Sequence, residues 1–229
     1  MNTRELLIEA TYDLGHSVDQ IYRGVIEPVV IQMKAGKRVK VQAADIKPYL
    51  NKIIEKYTKA DYDIDLYFRQ TEKPSLEFLS HASGTPAQII MELNLVKTKI
   101  KNLNKMEIKR EIEKSLTHEL THVIDMLKSK NKSPITKDYY DPYKYVSNKL
   151  EFNAFFHEIK NYIKSNKKKW NKIRSMEEFR DILLSVVANL ADVLKTNPNG
   201  YKNLERKFLE RLARENLLPK DMITKFDAY

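Results

Sequence analysis

Residues 115–125 read Ser-Leu-Thr-His-Glu-Leu-Thr-His-Val-Ile-Asp and contain the pattern His-Glu-x-x-His, formed by His118, Glu119 and His122. On a helix, side chains four positions apart project from the same side, so His118 and His122 can bind one metal ion. Glu119 follows the first histidine and can accept a proton from a water molecule that a zinc ion has made more acidic. We therefore expect a catalytic zinc site with Glu119 as the general base.

A long helix is expected around this motif. Asn104 followed three residues later by Glu107 has the form of a capping box, which marks the start of a helix. Apolar residues then recur at helical spacing as far as Leu127, before Pro134. The motif therefore lies inside a helix predicted over residues 104–127, as its chemistry requires.

A catalytic zinc site needs a third protein ligand, and the next helix offers an acid in a suitable place. This helix is predicted over residues 147–164, and Glu151 lies near its start, with the small Ala154 on the same face. A small residue at that point allows two helices to approach closely. We expect Glu151 to be the third ligand. His157 projects from another face and is the second choice.

Asp125 lies on the helix face of His118 and His122. From this position its carboxylate can accept a hydrogen bond from a ligand imidazole and fix the orientation of the ring. A place on the solvent side of the helix is the alternative. Asp125 is therefore a candidate for the residue that accepts a hydrogen bond from the imidazole of a metal ligand.

The remaining segments predict an α+β protein with a small, largely antiparallel or mixed sheet. Three short strands are expected before the motif, at residues 62–68, 76–80 and 88–95, with a turn at Ser83-Gly84-Thr85-Pro86. Helical spacing predicts further helices on both sides of these strands. They are placed at residues 3–34, divided at Gly15, Gly24 and Pro28; at 45–59, with Asp45 as N-cap; at 175–195, with Ser175 and Glu178 as a capping box; and at 201–216.

Composition limits the kinds of site that are available. The 229 residues include no cysteine, which excludes disulfides, thiolate zinc sites and a cysteine nucleophile. No run of 18 apolar residues is present, and the N-terminus lacks the layout of a signal peptide. We therefore expect a cytoplasmic protein without membrane contacts, unless other machinery exports or packages it.

The net charge of +10 raises the question of an anionic partner. Residues 97–114 hold seven Lys or Arg against three Glu, and Lys167, Lys168 and Lys169 form a second basic stretch. Neither stretch shows the interleaving of arginine and aromatic residues that is typical of nucleic-acid binding. Solvated lysine faces are the preferred interpretation, and a nucleic-acid-binding surface with an incidental histidine pair is kept as an alternative.

The motif and the acid after it resemble a known group of enzymes. His-Glu-Leu-Thr-His at 118–122, followed by Glu-x-x-Ala at 151–154 on a second helix, is similar to the gluzincin group of zincin metallopeptidases. The resemblance spans about residues 62–165. The run Glu-Phe-Asn-Ala-Phe at 151–155 is similar to phage- and bacterium-associated zincins of the antirepressor-cleaving type. The extension from His122 to Asp125 is similar to the lethal-factor-like type, and both alternatives stay open.

The resemblance implies a zincin-like fold, in which a small mixed sheet packs on the motif helix and a second ligand helix. It implies a zinc-dependent peptidase with His118, His122 and Glu151 as ligands and Glu119 as the base. It also implies that residues 88–95 form an edge strand that binds an extended protein or peptide substrate. The substrate-binding residues would be Ile90, Met91, Glu92 and Leu93.

Gluzincins often supply a tyrosine or histidine that stabilises the oxyanion of the tetrahedral intermediate. In this chain, 28 residues separate His122 from Glu151, and Tyr143 and Tyr145 are the tyrosines of that connection closest to Glu151. Both are candidates for the oxyanion donor. Packing of the connection against the sheet is an equal alternative for each of them.

Three regions are predicted: a helical region over residues 1–60, a zincin-like core over 61–165 and a second helical region over 166–229. The terminal regions exceed what a minimal site requires. A phage-type binding or structural protein that keeps the metal site without catalysis is therefore the main alternative to a peptidase. A His, His, Glu site also accepts Mn²⁺ or Co²⁺ in place of Zn²⁺.

Overall fold

The computed structural model describes residues 14–39, 41–59, 61–72, 79–85, 87–128, 141–219 and 221–222. The predicted α+β class is confirmed, since these residues form a small mixed sheet of four strands and many helices. The chain divides into two compact units, Met1–Ser133 and Pro134–Tyr229. The three regions 1–60, 61–165 and 166–229 stay a prediction.

The first unit contains the sheet and the second is helical in its described part. The elements of the first unit are α1 (Gly15–Ile21), a π-helical turn (Tyr22–Ile26), α2 (Glu27–Lys34), β1 (Gln42–Asp45), α3 (Lys47–Ile54), β2 (Asp63–Thr71), β3 (Leu79–Thr85), β4 (Gln88–Val96), α4 (Lys97–Asn102) and α5 (Lys105–Lys128). Those of the second unit are α6 (Pro142–Ser147), α7 (Lys149–Ser165), α8 (Lys167–Trp170), α9 (Met176–Val186), α10 (Leu190–Thr196) and α11 (Pro198–Arg214). Among the described helices, none combines the length and apolar character needed to cross a membrane.

The strands follow the order β1-β2-β4-β3. β2 and β4 are parallel, whereas β1 pairs with β2 and β3 pairs with β4 in antiparallel fashion. The hairpin from β3 to β4 depends on Gly84, whose φ of +118° is unfavourable for residues with a side chain, and a Cβ there would collide with the carbonyl oxygen of Gln88. Alternate residues of β2 and β4 point into the core: Ile64, Leu66, Phe68, Ile89, Met91, Leu93 and Leu95.

The prediction that residues 88–95 form an edge strand is wrong. β4 lies between β2 and β3, and its register with both neighbours covers most of its length. Its backbone N–H and C=O groups are therefore used on both sides and cannot pair with an added peptide strand. Within the described part of the sheet, the edges are β1 and β3.

Three other differences from the predicted strands and first helices concern the first unit. β1 was not predicted, and β3 continues through the predicted turn as far as Thr85. Asp45 ends β1, and the N-cap position of α3 is Ile46; the Asp45 carboxylate nevertheless accepts a hydrogen bond from the Lys47 N–H at the start of α3, at 2.8 Å. The first helical stretch is divided near Gly24 and Pro28, as predicted: Gly24 lies in the π-helical turn, and Pro28 occupies the first turn of α2, where its missing N–H is tolerated. Residues 3–13 of that predicted helix and 76–78 of the predicted strand lie outside the described residues.

The helices of the second unit follow their capping signals. Ser175 and Glu178 form the predicted capping box of α9. The helix predicted over 175–195 is divided into α9 and α10 at Val187–Asn189, where Asn189 has a φ of +62°. α11 begins earlier than predicted because Asn197 caps it, accepting a hydrogen bond from the Gly200 N–H, and Pro198 occupies its first turn.

Each unit has its own apolar core. In the first unit, α5 places Ile108, Ile112, Leu116 and Leu120 in a cluster with the buried sheet residues and the first helices. In the second unit, α6, α7, α9, α10 and α11 surround aromatic residues that include Phe156, Phe179 and Phe208.

Candidate metal centre

The helix α5 holds the motif in a fixed place within the first unit. Its start is the predicted capping box: the Asn104 side chain accepts hydrogen bonds from the N–H groups of Met106 and Glu107, and the Glu107 carboxylate accepts one from the Asn104 N–H. The apolar face of α5 is buried in the first core, and α5 contacts the edge strand β3. The motif is therefore presented by a long, well-anchored helix.

The two threonines that directly precede the histidines add polar groups to this part of α5. Thr117 and Thr121 are fully buried, and each hydroxyl donates to the backbone carbonyl four residues earlier, at 2.7 Å to Glu113 and 2.9 Å to Thr117. Each buried hydroxyl thus has a hydrogen-bond acceptor in the helix backbone.

His118 and His122 are both buried and face each other along the helix. Their Nε2 atoms are 3.1 Å apart, and the ring centroids are 4.7 Å apart at an interplanar angle of 83°. Two nitrogens bound tetrahedrally at about 2.0–2.1 Å from one zinc ion lie about 3.3 Å from each other. The separation of the Nε2 atoms is therefore close to that of two ligands sharing one ion.

Glu151 completes a group of three possible ligands. Each of His118, His122 and Glu151 is buried and offers one ligand atom, and these atoms all lie within 4.8 Å of one another. Two imidazoles and one carboxylate are the donor set of several catalytic zinc sites, which keep a fourth position for water or substrate. The donors and their burial fit a divalent metal ion, and the same set suits Mn²⁺ or Co²⁺.

The position of Glu151 follows from the start of α7. The Asn148 side chain caps this helix by accepting a hydrogen bond from the Leu150 N–H at 2.9 Å. Glu151 thus lies in the first turn, where a carboxylate interacts favourably with the helix dipole. Ala154, one turn on, is fully buried. His157 is buried on α7 but does not belong to the three-residue group.

Glu119 is also buried, with 7% of its surface exposed. It follows His118 on α5 and therefore does not share the helix face of the two histidines. Glu119 is not one of the three residues of the possible metal-binding group. Its role as general base stays a prediction.

Asp125 is partly buried near the end of α5, and one of its electrostatic neighbours, Tyr57, is a residue that the sequence did not single out. Burial raises the pKa of Tyr57, and the nearby Asp125 carboxylate raises that pKa further. The Lys128 ammonium lies over the Tyr57 ring, 4.7 Å from its centroid. Tyr57 follows α3 and is 68 residues from Asp125 in the chain, so no local spacing could have indicated this pair. Support of a ligand by Asp125 stays a prediction.

Tyr143 and Tyr145 lie on α6, in a segment predicted to be a loop. Both are partly buried against the core of the second unit. The Tyr145 ring meets Phe155 edge-to-face at a centroid distance of 6.0 Å, and the Tyr143 ring lies so close to Gly200 that a Cβ there would be 2.6 Å from it. These contacts join both rings to the helical core of the second unit, whereas the packing alternative placed them against the sheet; their role as oxyanion donors stays a prediction.

The four residues expected to bind substrate occupy the interior strand β4. Met91 and Leu93 are fully buried in the core, whereas Glu92 is partly exposed and Ile90 is 37% exposed on the other face. Glu92 forms an ion pair with Arg69 on β2 at 3.0 Å. Substrate binding by these residues stays a prediction, but an open backbone edge cannot be its basis.

We compared the chain with models of known protein families, with curated proteins and with solved structures, and none of the three comparisons gave a match.

Proposed function

We propose that this chain is a zincin-like metallopeptidase of gluzincin type, which uses Zn²⁺ to hydrolyse peptide bonds in a protein substrate. The observation behind the proposal is the buried group of His118, His122 and Glu151. Within this proposal His118, His122 and Glu151 bind the ion, and Glu119 is the general base.

The charges of these residues support a divalent ion. In their ionised forms, the Glu119 and Glu151 carboxylates contribute one negative charge each, and two neutral imidazoles contribute none. All four side chains are at least nine-tenths buried, where charges are costly unless they are paired. An ion of charge +2 offsets the two carboxylates.

The proposed reaction divides its tasks between the ion and the protein. When bound, Zn²⁺ polarises the substrate carbonyl and lowers the pKa of a water molecule. The Glu119 carboxylate accepts a proton from the attacking water and delivers it to the amine of the departing product. Burial of Glu119 excludes bulk water and strengthens its electrostatic interactions at the reacting atoms.

We assign substrate binding to the edge strand β3 instead of β4. β3 is antiparallel to β4, is the outermost strand on its side of the described sheet and contacts the motif helix α5. An edge strand offers unpaired backbone N–H and C=O groups to an extended peptide, which can add as a further strand. This keeps the predicted mode of recognition and moves it to the strand with an open edge.

A binding or structural protein that keeps a zincin-like metal site without catalysis is the second candidate. It is favoured by the second unit, which has an extensive aromatic core of its own although it supplies a single residue to the three-residue group. For this candidate the metal stabilises the fold, and replacement of Glu119 affects no reaction because none is catalysed.

Replacement of Glu119 by glutamine separates the two candidates. We expect Glu119→Gln to bind as much zinc as the wild type and to lose cleavage of an unstructured protein such as casein by about 10²–10⁴-fold, the usual contribution of a general base. The matched control is Glu111→Gln, an exposed acid on the same helix. Undiminished cleavage by Glu119→Gln would contradict the mechanism. A zinc-loaded wild type that cleaves neither casein nor a peptide library would favour the second candidate.

A further inference from the structure

The reverse side of α7 contains a buried cluster that the proposed function does not use. Asn153, Phe156 and Lys160 follow one another at intervals of three and four residues, so they share one face of the helix. At about 100° per residue, this face lies roughly 140–180° around the helix from Glu151. The cluster thus contacts α7 from the side opposite to the proposed ligand.

Arg211 of α11 is the centre of this cluster. Its side chain is 5% exposed, and its Nη2 atom donates to the Asn153 Oδ1 atom at 2.8 Å. The guanidinium lies over the Phe156 ring, 4.0 Å from the centroid. Both contacts join the same buried arginine to successive turns of α7.

Glu215 extends the cluster by a further turn. Its carboxylate lies 3.7 Å from the Arg211 Nε atom and 2.8 Å from the Lys160 Nζ atom. Arg211 and Lys160 are therefore linked through one acid, and α7 is held at three points along its length. A planar guanidinium combines hydrogen bonding and ring stacking in a fixed geometry, which a flexible ammonium does not.

Three contacts along one face restrict the rotation of α7 about its own axis. A side-chain group lies about 5–6 Å from the axis of a helix, so a rotation of about 10° moves it by about 1 Å. Metal ligands tolerate deviations of only about 0.2 Å in their bond lengths. A small rotation of α7 is therefore enough to move Glu151 out of a ligand position.

We propose that Arg211 is a positioning residue for Glu151, and that its contacts with Asn153 and Phe156 set the direction in which Glu151 projects from α7. This proposal rests on the proposed role of Glu151 as a metal ligand. In this proposal Arg211 acts through the orientation of α7 and is not a metal ligand.

The test is the affinity of the purified full-length protein for Co²⁺, measured by titration with the visible absorption of the bound ion as the signal. We expect Arg211→Met to bind Co²⁺ at least about 10-fold more weakly than the wild type, since loss of residues that orient a ligand typically costs 10–100-fold in metal affinity. The absorption spectrum should shift toward that of Glu151→Gln, because both variants lose the same ligand. Arg211→Lys should restore little of the affinity.

A second ion pair of α11 provides the matched control. Arg180 of α9 forms two hydrogen bonds with the fully buried Glu205, at 2.7 and 3.2 Å, and this pair joins α11 to α9. Arg180→Met should therefore lower the melting temperature and leave the Co²⁺ affinity within about 2-fold of the wild type, since it does not affect a ligand. If this variant does not fold, the double variant Arg180→Met with Glu205→Gln serves as the control in its place, because it leaves no charge of this pair buried.

The outcomes separate this proposal from the proposed function. If Arg211→Met does not fold, Asn153→Ala removes the same hydrogen bond with a smaller change and takes its place in the titration. Unchanged Co²⁺ affinity in the folded variant, or an equal loss in the Arg180 control, overturns the positioning role alone. A wild type that binds no Co²⁺, or a Glu151→Gln variant that binds it as tightly as the wild type, overturns the metal site and the positioning role with it.

Discussion

The two units bury their polar residues in different ways. Among the described residues of the first unit, and leaving the tyrosines aside, every buried polar or charged side chain except Ser17 lies between Thr117 and His122 on α5. In the second unit they are spread over α7 and α11, and some belong to ion pairs: Glu205 with Arg180, and Arg211 with Glu215.

This difference separates a candidate functional site from structural polarity. A protein gains little stability by collecting several polar side chains in six consecutive buried positions, and departures of this kind are expected at functional sites. Dispersed charges paired within a helical core are typical of contacts that orient helices. The run on α5 thus has the arrangement of a site, whereas the ion pairs of the second unit have that of a scaffold.

The largest expected contrast in stability concerns one buried glutamate from each unit, compared in metal-free protein. Glu205→Gln should lower the free energy of unfolding by about 2–3 kcal/mol, because it weakens two charge-assisted hydrogen bonds to Arg180. The loss is smaller than for a fully buried ion pair, because the Arg180 side chain is partly exposed. Glu119→Gln should change it by less than about 1 kcal/mol or raise it, since catalytic groups are commonly kept at some cost in stability.

Chemical denaturation followed by circular dichroism, with a chelator present, measures both values. Equal losses for the two variants would contradict the contrast, since Glu119 would then be as much a structural residue as Glu205.

A smaller effect is expected at Tyr22, a buried polar group of the first unit outside the α5 run. Its hydroxyl is buried and has no hydrogen-bond partner among the described residues. Tyr22→Phe should therefore change the free energy of unfolding at pH 7 by less than about 1 kcal/mol. A larger loss would mean that buried polar groups outside the α5 run also support the first unit.

The same variant has a defined pH dependence. Burial, followed by the nearby acids Glu27 and Glu113, raises the pKa of Tyr22 from 10.0 to about 12. Because the folded state favours the neutral phenol, its contribution is complete below pH 10 and is lost as the pH rises towards 12. At pH 11 the wild type should have lost about 1 kcal/mol relative to Tyr22→Phe. Parallel stability curves for the two proteins between pH 9 and 11 would contradict this assignment.

Much of the fold could be predicted because its signals are local. The capping boxes at Asn104 and Ser175 indicated the starts of α5 and α9, and alternation indicated β2 and β4. β1 was missed because its four residues are mostly exposed and show no alternation. β4 lies inside the sheet because it pairs with β2 as well as with β3, its neighbour in the chain. The pairing of β4 with β2 joins strands that are not consecutive, and such pairing leaves no trace in the local pattern.

The same division applies to the site. His118 and His122 are one helical turn apart, so their spacing predicted that they face each other. Glu151 was indicated by its place at the start of the next helix and by the resemblance to gluzincins. Tyr57 and Arg211 could not be predicted, because their contacts join residues 68 and 58 positions apart in the chain.

The metal content of the purified protein tests the central claim most directly. Elemental analysis after exposure to equimolar zinc should find one ion per chain in the wild type and in His81→Ala, which replaces an exposed histidine on β3. His122→Ala should lose zinc affinity by about 10³-fold or more, since it removes one of three protein ligands. Zinc bound equally by the wild type, His81→Ala and His122→Ala, or bound by none of them, would contradict the account.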